Sequence, residues 1–220
     1  MKIRILPLGA FEANCVLVSD DEGLTLVTDP GADADDVDSE LTRHGLKVGA
    51  YLLTHGHVDH VSALTDLWRR RQAPVLIHPA DAAWAFTPAN AIPPYPAPAR
   101  PAGPYPEVAD NSVFTFGGLT FRVLSTPGHT PGCVCFYFEK EGVLLTGDTL
   151  FEGSVGRTDL PGGNGRTLAD SLLKLAVLPP AVRVIAGHGE ETTIGNELQN
   201  NYFMQGAARA LARLKNKSGL

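Results

Sequence analysis

Between Thr54 and His60 the chain reads Thr-His-Gly-His-Val-Asp-His, which puts four side chains able to bind metal within six residues, directly after the apolar run 50–53. That spacing excludes one face of a helix, because His55 and His57 at i and i+2 would point to opposite sides. On a tight turn opened by Gly56, the two can converge on one ion while Asp59 and His60 reach a second. Whatever this chain folds into must therefore end an apolar strand in a sharp polar turn.

The same setting recurs further along. His129 lies in Thr126-Pro-Gly-His-Thr-Pro-Gly132 between two strand-like runs, Asp148 in Thr146-Gly-Asp-Thr149, and His188 in Ala186-Gly-His-Gly189. A lone His or Asp at a strand end is ordinarily a turn residue. Here five of the seven histidines fall in such loops, and the strands of a packed sheet deliver their end loops to one shared edge. The other two read as structural or surface residues: His44, where a helix C-terminus favours positive charge, and His78.

Strand-like runs at 3–8, 15–19 and 24–28 are separated by turn signals and predict three adjoining strands. A helix is expected over 33–44, a second over 62–71, and a strand over 75–77. Eight prolines within 87–106 leave too few donors for a sheet and forbid a helix, so this is a stiff loop, either a lid or an exposed connection of polyproline character. Strands follow at 112–116, 119–124, 133–138 and 143–146, with hairpin turns at Gly117-Gly118 and Glu141-Gly142, and give a second sheet. Thr167-Leu-Ala-Asp170 reads as a capping box opening a helix to about residue 177, then a strand at 183–186 and a helical stretch from Glu190.

The 220 residues suffice for a real core, and with 44% hydrophobic residues and no long uninterrupted apolar run the chain reads as soluble and globular, with no membrane span. A formal charge of −6 with scattered basic residues argues against nucleic acid. The odd set Cys15, Cys133 and Cys135 makes no disulfide framework, and the N-terminus lacks a signal-like apolar stretch, so a cytoplasmic location is expected. All three thiols read as buried and inert, Cys15 as core and the other two in an apolar strand.

In this order, His-x-His-x-Asp-His followed by separate His, Asp and His loops resembles the metallo-β-lactamase-fold hydrolases over nearly the whole chain. The resemblance implies an α+β fold, a four-layer αβ/βα sandwich formed by residues 1–220 as a single domain, with a dinuclear site along the edge between its sheets. It implies that His55, His57 and His129 bind one metal, Asp59, His60 and His188 a second, and that Asp148 bridges, while Asp29 and Thr54 orient these ligands from behind. The cofactors implied are two divalent ions, zinc first, with iron or manganese as alternatives.

The segment Gly153-Ser-Val-Gly-Arg-Thr-Asp-Leu160 resembles that of small glyoxalase II relatives and of persulfide dioxygenases. The reaction implied is hydrolysis of an acyl ester, a thioester foremost, with Asp148 and Asp59 as catalytic carboxylates and a glutathione thioester as candidate small-molecule partner. A mononuclear Fe(II) oxygenase is the competing reading, a lactonase or other esterase a further one, and a non-enzymatic metal-binding protein the last. Full-length glyoxalase II adds a C-terminal helical domain with cationic contacts for glutathione; this chain stops about where the core fold ends. Arg213, Lys215 and Lys217 could stand in, against the plainer account of a frayed basic tail. Tyr95, Tyr105 and Arg157 are candidate substrate contacts, with an internal tie to Asp159 as the other reading of Arg157. The apolar C-terminal stretch around Tyr202, Phe203, Met204 and Leu211 could pack on its own core or on a second copy.

Overall fold

The first runs pair in chain order. β1 (Lys2–Leu8), β2 (Ala13–Ser19) and β3 (Leu24–Thr28) are antiparallel neighbours, and α1 (Ala34–Arg43) then carries the chain over to β4 (Lys47–Leu52), parallel to β3. Two short helices, α2 (Val58–Val61) and α3 (Leu64–Arg70), precede β5 (Val75–Leu76), which completes a five-stranded sheet in the order β1-β2-β3-β4-β5. The structure is a computed structural model that describes residues 1–218, with side chains through Arg213; Lys215 and Lys217 have their side chains outside the described residues.

After α4 (Pro79–Ala82) and the proline-rich loop come β6 (Val113–Phe116), β7 (Leu119–Ser125), β8 (Val134–Phe138) and β9 (Val143–Gly147), a meander of antiparallel strands. A small hairpin, β10 (Leu150–Phe151) with β11 (Ser154–Val155), leads to α5 (Gly165–Leu175) and then to β12 (Arg183–Ala186), parallel to β9. β13 (Thr192–Thr193) closes the six-stranded second sheet, and α6 (Ile194–Asn200) and α7 (Tyr202–Ser218) finish the fold.

Period-two alternation explains the layering. In β2, Val16 and Val18 join the core between the sheets, while Cys15 and Leu17 join the core beneath α1 and α3. In β8, Val134, Phe136 and Phe138 face the first sheet, whereas Cys135 and Tyr137 pack with Leu172 and Leu175 of α5 and Met204 of α7. Strands buried on both faces read as continuous apolar runs, and both of these do. The result is helix, sheet, sheet, helix, an α+β sandwich of four layers. Truncating Phe136, fully buried at its centre, is expected to cost about 3–5 kcal/mol.

Several sequence expectations shift. The helix expected over 62–71 is α3, and a separate one-turn helix, α2, precedes it where none was expected: the Ser62 hydroxyl donates to the Val58 carbonyl at 2.7 Å and the Ala63 N–H to the Pro30 carbonyl at 3.0 Å, which ends α2 and offsets α3 from it. The cap of α5 is Asn164, whose Oδ1 accepts the Arg166 and Thr167 N–H groups at 3.0 Å, so Thr167 lies inside the helix. The stretch from Glu190 begins as the strand β13, with Thr193 then capping α6. Proline at its first position lets the loop make one 3-10 turn, Pro88–Asn90, where no helix was expected. Among the described residues no helix is long and apolar enough to cross a membrane.

Candidate metal centre

Each candidate residue sits just past the end of a strand or on the turn it feeds. β4 runs into the turn holding His55 and His57, the latter preceding α2, which carries Asp59 and His60. β7 leads to the His129 loop, β9 to Asp148 and β12 to His188. Because β9 and β12 are parallel neighbours, Asp148 and His188 emerge at the same edge of the second sheet. The two sheets are tied there: the Val134 N–H donates to the Thr54 carbonyl at 2.8 Å, and the Asn14 N–H to the Gly187 carbonyl at 2.7 Å.

The seven side chains form two groups about one carboxylate. His55, His57 and His129 bring three ring nitrogens within 4.8 Å of one another, and a carboxylate oxygen of Asp59 lies equally close to a ring nitrogen each of His60 and His188. Asp148 lies between them, with Oδ2 3.4 Å from His129 Nε2 and Oδ1 3.5 Å from His60 Nε2 and 3.8 Å from His188 Nε2. Gly187 is required here, since a Cβ would overlap Asp148 Oδ1.

Four of the five imidazoles are oriented from behind. His129 Nδ1 donates to the Arg157 carbonyl at 2.7 Å and His188 Nδ1 to the Phe11 carbonyl at 2.9 Å. His60 Nδ1 meets Asp29 Oδ2 at 3.1 Å. The Thr54 hydroxyl donates to Asp29 Oδ2 at 2.6 Å, which leaves its lone pair to accept from His55 Nδ1 at 3.0 Å. Each such bond places the proton on the far nitrogen and turns a lone pair inward. Asp29 belongs to a third close set with His55 and His60, but its oxygens already serve Thr54 and His60. It sits at φ 49°, a left-handed conformation that Asp tolerates better than most residues.

The electrostatics of the two groups differ. Burial, reinforced by neighbouring imidazoles, holds His55 well below the ordinary histidine range and His57 down at about 3. Burial acts the same way on His60, yet Asp148, Asp29 and Asp59 outweigh it and push that imidazole up to about 10. His188 is raised too, Asp59 and Asp148 again outweighing burial. Asp59 is lowered despite its burial, by the His188 hydrogen bond and the charge of His60.

Two atoms test whether a cation fits. His55 Nε2 and Asp148 Oδ1 are buried without a hydrogen-bond partner, although buried polar atoms are almost always satisfied. A donor set of imidazole and carboxylate with two orphaned lone pairs fits divalent metal ions, with zinc, iron and manganese all compatible.

The candidate substrate contacts make no side-chain hydrogen bond to the seven residues. Arg157 makes two bonds of 2.7 Å to Asp159, the internal tie, although its charge is felt at His57. Tyr95 is buried with its ring 5.3 Å from that of Phe11, the residue whose carbonyl holds His188, so it stands one residue removed from the centre. The Tyr105 hydroxyl donates to the Pro101 carbonyl at 2.8 Å and its ring lies 4.6 Å under the Arg100 guanidinium; nothing brings it to the histidines. The three thiols are buried and raised by burial, Cys135 to about 11. His44 caps α1 beside Glu40 at 3.0 Å, and His78 caps α4.

Sequence reasoning missed Asn14, whose side chain donates at 3.0 Å to the carbonyls of Ala186 and Gly189 on either side of His188. It also missed Asp81, which touches both turns of the three-histidine group. Burial raises the Asp81 carboxyl, with the hydrogen bonds of Thr130, Gly56 and Gly132 acting against it.

The metallo-beta-lactamase superfamily model matches residues 8–188, and the chain belongs to that family of metal-dependent hydrolases. Hydroxyacylglutathione hydrolase GloC of Haemophilus influenzae is 35% identical over 93% of this chain and 98% of its own length. Among solved structures, BLEG-1 B3 metallo-beta-lactamase superposes with a TM-score of 0.86 at 37% identity, covering 92% of this chain and 99% of that one. TTHA1623 in a di-iron-bound form gives 0.75 at 38% identity over 91% and 99%.

Proposed function

We propose that this protein hydrolyses acyl thioesters, a glutathione thioester foremost, at a two-metal centre. His55, His57 and His129 would hold one divalent ion, Asp59, His60 and His188 the second, with Asp148 shared. The observation that carries this reading is the convergence of both groups on one carboxylate, with His55 Nε2 and Asp148 Oδ1 left as orphaned acceptors. When bound, such a pair of ions supplies Lewis acidity and a hydroxide nucleophile at neutral pH.

The residues around the centre divide the remaining work. Asp59 stays ionised and, with Oδ2 3.4 Å from His188 Nε2, is placed to orient an attacking water through a hydrogen bond. Asp29 and the Phe11 and Arg157 carbonyls keep the imidazoles from rotating. Among the described residues no Tyr or Lys hydrogen-bonds to the seven side chains, so no ready proton donor serves an amine leaving group. A thiol is acidic enough, with a pKa of about 8.5, to leave as the anion, which favours thioesters over amides. Homology to a hydroxyacylglutathione hydrolase supports the same substrate class.

The one-iron oxygenase reading is weaker, because it leaves the second group without a purpose. Metal analysis of protein purified without added metal, followed by a panel of glutathione thioesters, lactones, phosphodiesters, persulfides and a β-lactam, tests the proposal. Two divalent ions per chain with thioester turnover is the expected result. One iron with dioxygen uptake on persulfide, or turnover confined to the β-lactam, would replace it.

A further inference from the structure

The turns that present His55, His57 and His129 come from different sheets, and a side chain with no part in the chemistry above joins them. Asp81, on α4, is fully buried and receives three donors. The Gly56 N–H and the Thr130 hydroxyl reach Oδ2 at 2.8 and 2.6 Å, and the Gly132 N–H reaches Oδ1 at 2.7 Å. Gly56 stands between His55 and His57, and Thr130 follows His129.

Asn90 clamps the opposite side of the first turn, its Nδ2 donating at 2.7 Å to the Gly56 and Ala85 carbonyls. Neither turn has slack against α4 and the residues just after it: a Cβ on Gly132 would come within 2.6 Å of the Asp81 carboxyl, and one on Gly56 within 2.9 Å of the Ala85 methyl. A carboxylate is costly to bury unless hydrogen-bonded, and a hydrophobic residue would fill this space more cheaply if filling were all it did.

We propose that Asp81 is a positioning residue for the three-histidine group, fixing the His55–His57 turn against the His129 turn so that their three ring nitrogens converge. This rests on the metal-centre reading above. An Asn in its place keeps the size but, in either orientation of its amide, sets an N–H against the N–H of Gly132 or Gly56. The turns then drift apart, and the first group loses convergence while the second, held by Asp29 and the Phe11 carbonyl, does not.

Zinc titration against a chromophoric chelator, alongside thermal melts, tests this in wild type, D81N, T130V and T130S. Wild type is expected to bind two equivalents. D81N should weaken one by about 10- to 100-fold and leave the other unchanged. An H188A background, which spares all three residues of the first group, assigns the weakened equivalent. T130V removes one donor of three and should weaken the same equivalent by less, and T130S, which keeps the hydroxyl, should restore it. Equal weakening of both equivalents in step with a fall in Tm would reduce Asp81 to a folding role, and no weakening of either would overturn the inference outright. If D81N does not fold, the contrast between T130V and T130S decides on the same outcomes. A wild type that binds no divalent ion would bring down the metal-centre reading and this inference together, whereas two equivalents bound by D81N at wild-type affinity would sink the inference alone.

Discussion

The two groups flanking Asp148 occupy one edge of the sandwich and are prepared for opposite charge states. In the group of His55, His57 and His129, burial and the neighbouring imidazoles keep His55 and His57 neutral at physiological pH. The group of Asp59, His60 and His188 gathers carboxylates close enough to hold protons on its imidazoles. Similar ligands a few ångströms apart therefore differ in what a cation must displace: in the first group the 2.8 Å hydrogen bond between His57 Nδ1 and His129 Nε2, in the second the protons on His60 and His188.

Asp148→Asn attacks the feature common to both groups and should have the largest effect. Partners that merely orient ligands cost about 10- to 100-fold in metal affinity, so losing the shared carboxylate should cost more than about 100-fold in turnover, with depleted metal content. Wild-type turnover in metal-loaded D148N would show that Asp148 does not bridge. Asp29→Asn should come next, weakening loading by about 10- to 100-fold and mostly in the second group, where Asp29 meets His60 directly. Equal effects on both equivalents would mean that its route through Thr54 to His55 matters as much.

The pH dependence sharpens the contrast. With His60 pushed up to about 10, an ion entering the second group must displace its proton, so affinity should rise about tenfold per pH unit from 7 toward that value. The first group, with His57 at about 3, should show a flat profile over the same range. Calorimetric titrations at several pH values would read both slopes, and parallel profiles would erase the distinction. The smallest effect is expected for Arg157→Ala, whose exposed pair with Asp159 adds little to stability. Tm should not move, while KM for a carboxylate-bearing thioester should rise if the guanidinium reaches the substrate.

Much of the centre was legible because its residues carry local signals: a compact His-Gly-His turn, and glycine beside each later ligand at a strand end. Both sheets were legible from apolar runs such as 15–19 and 133–138. What stayed hidden depends on distant contacts. Asp81 in His78-Pro-Ala-Asp81 looks like an acidic residue in the first turn of a helix, and only the folded chain brings Gly56 and Gly132 to it, 25 and 51 residues away. Asn14, amid strand residues, gives no hint of reaching carbonyls 172 and 175 positions on. The two-residue strands β10, β11 and β13 are too short for any period to declare itself.

Asn14 has a mechanical meaning as well. With its backbone N–H on Gly187 and its side chain on Ala186 and Gly189, it fastens the second strand of one sheet to the loop carrying the last histidine of the other. The rivet lies at the same edge as the candidate centre, so separating the sheets there must break three hydrogen bonds of Asn14 that grip the loop on both sides of His188.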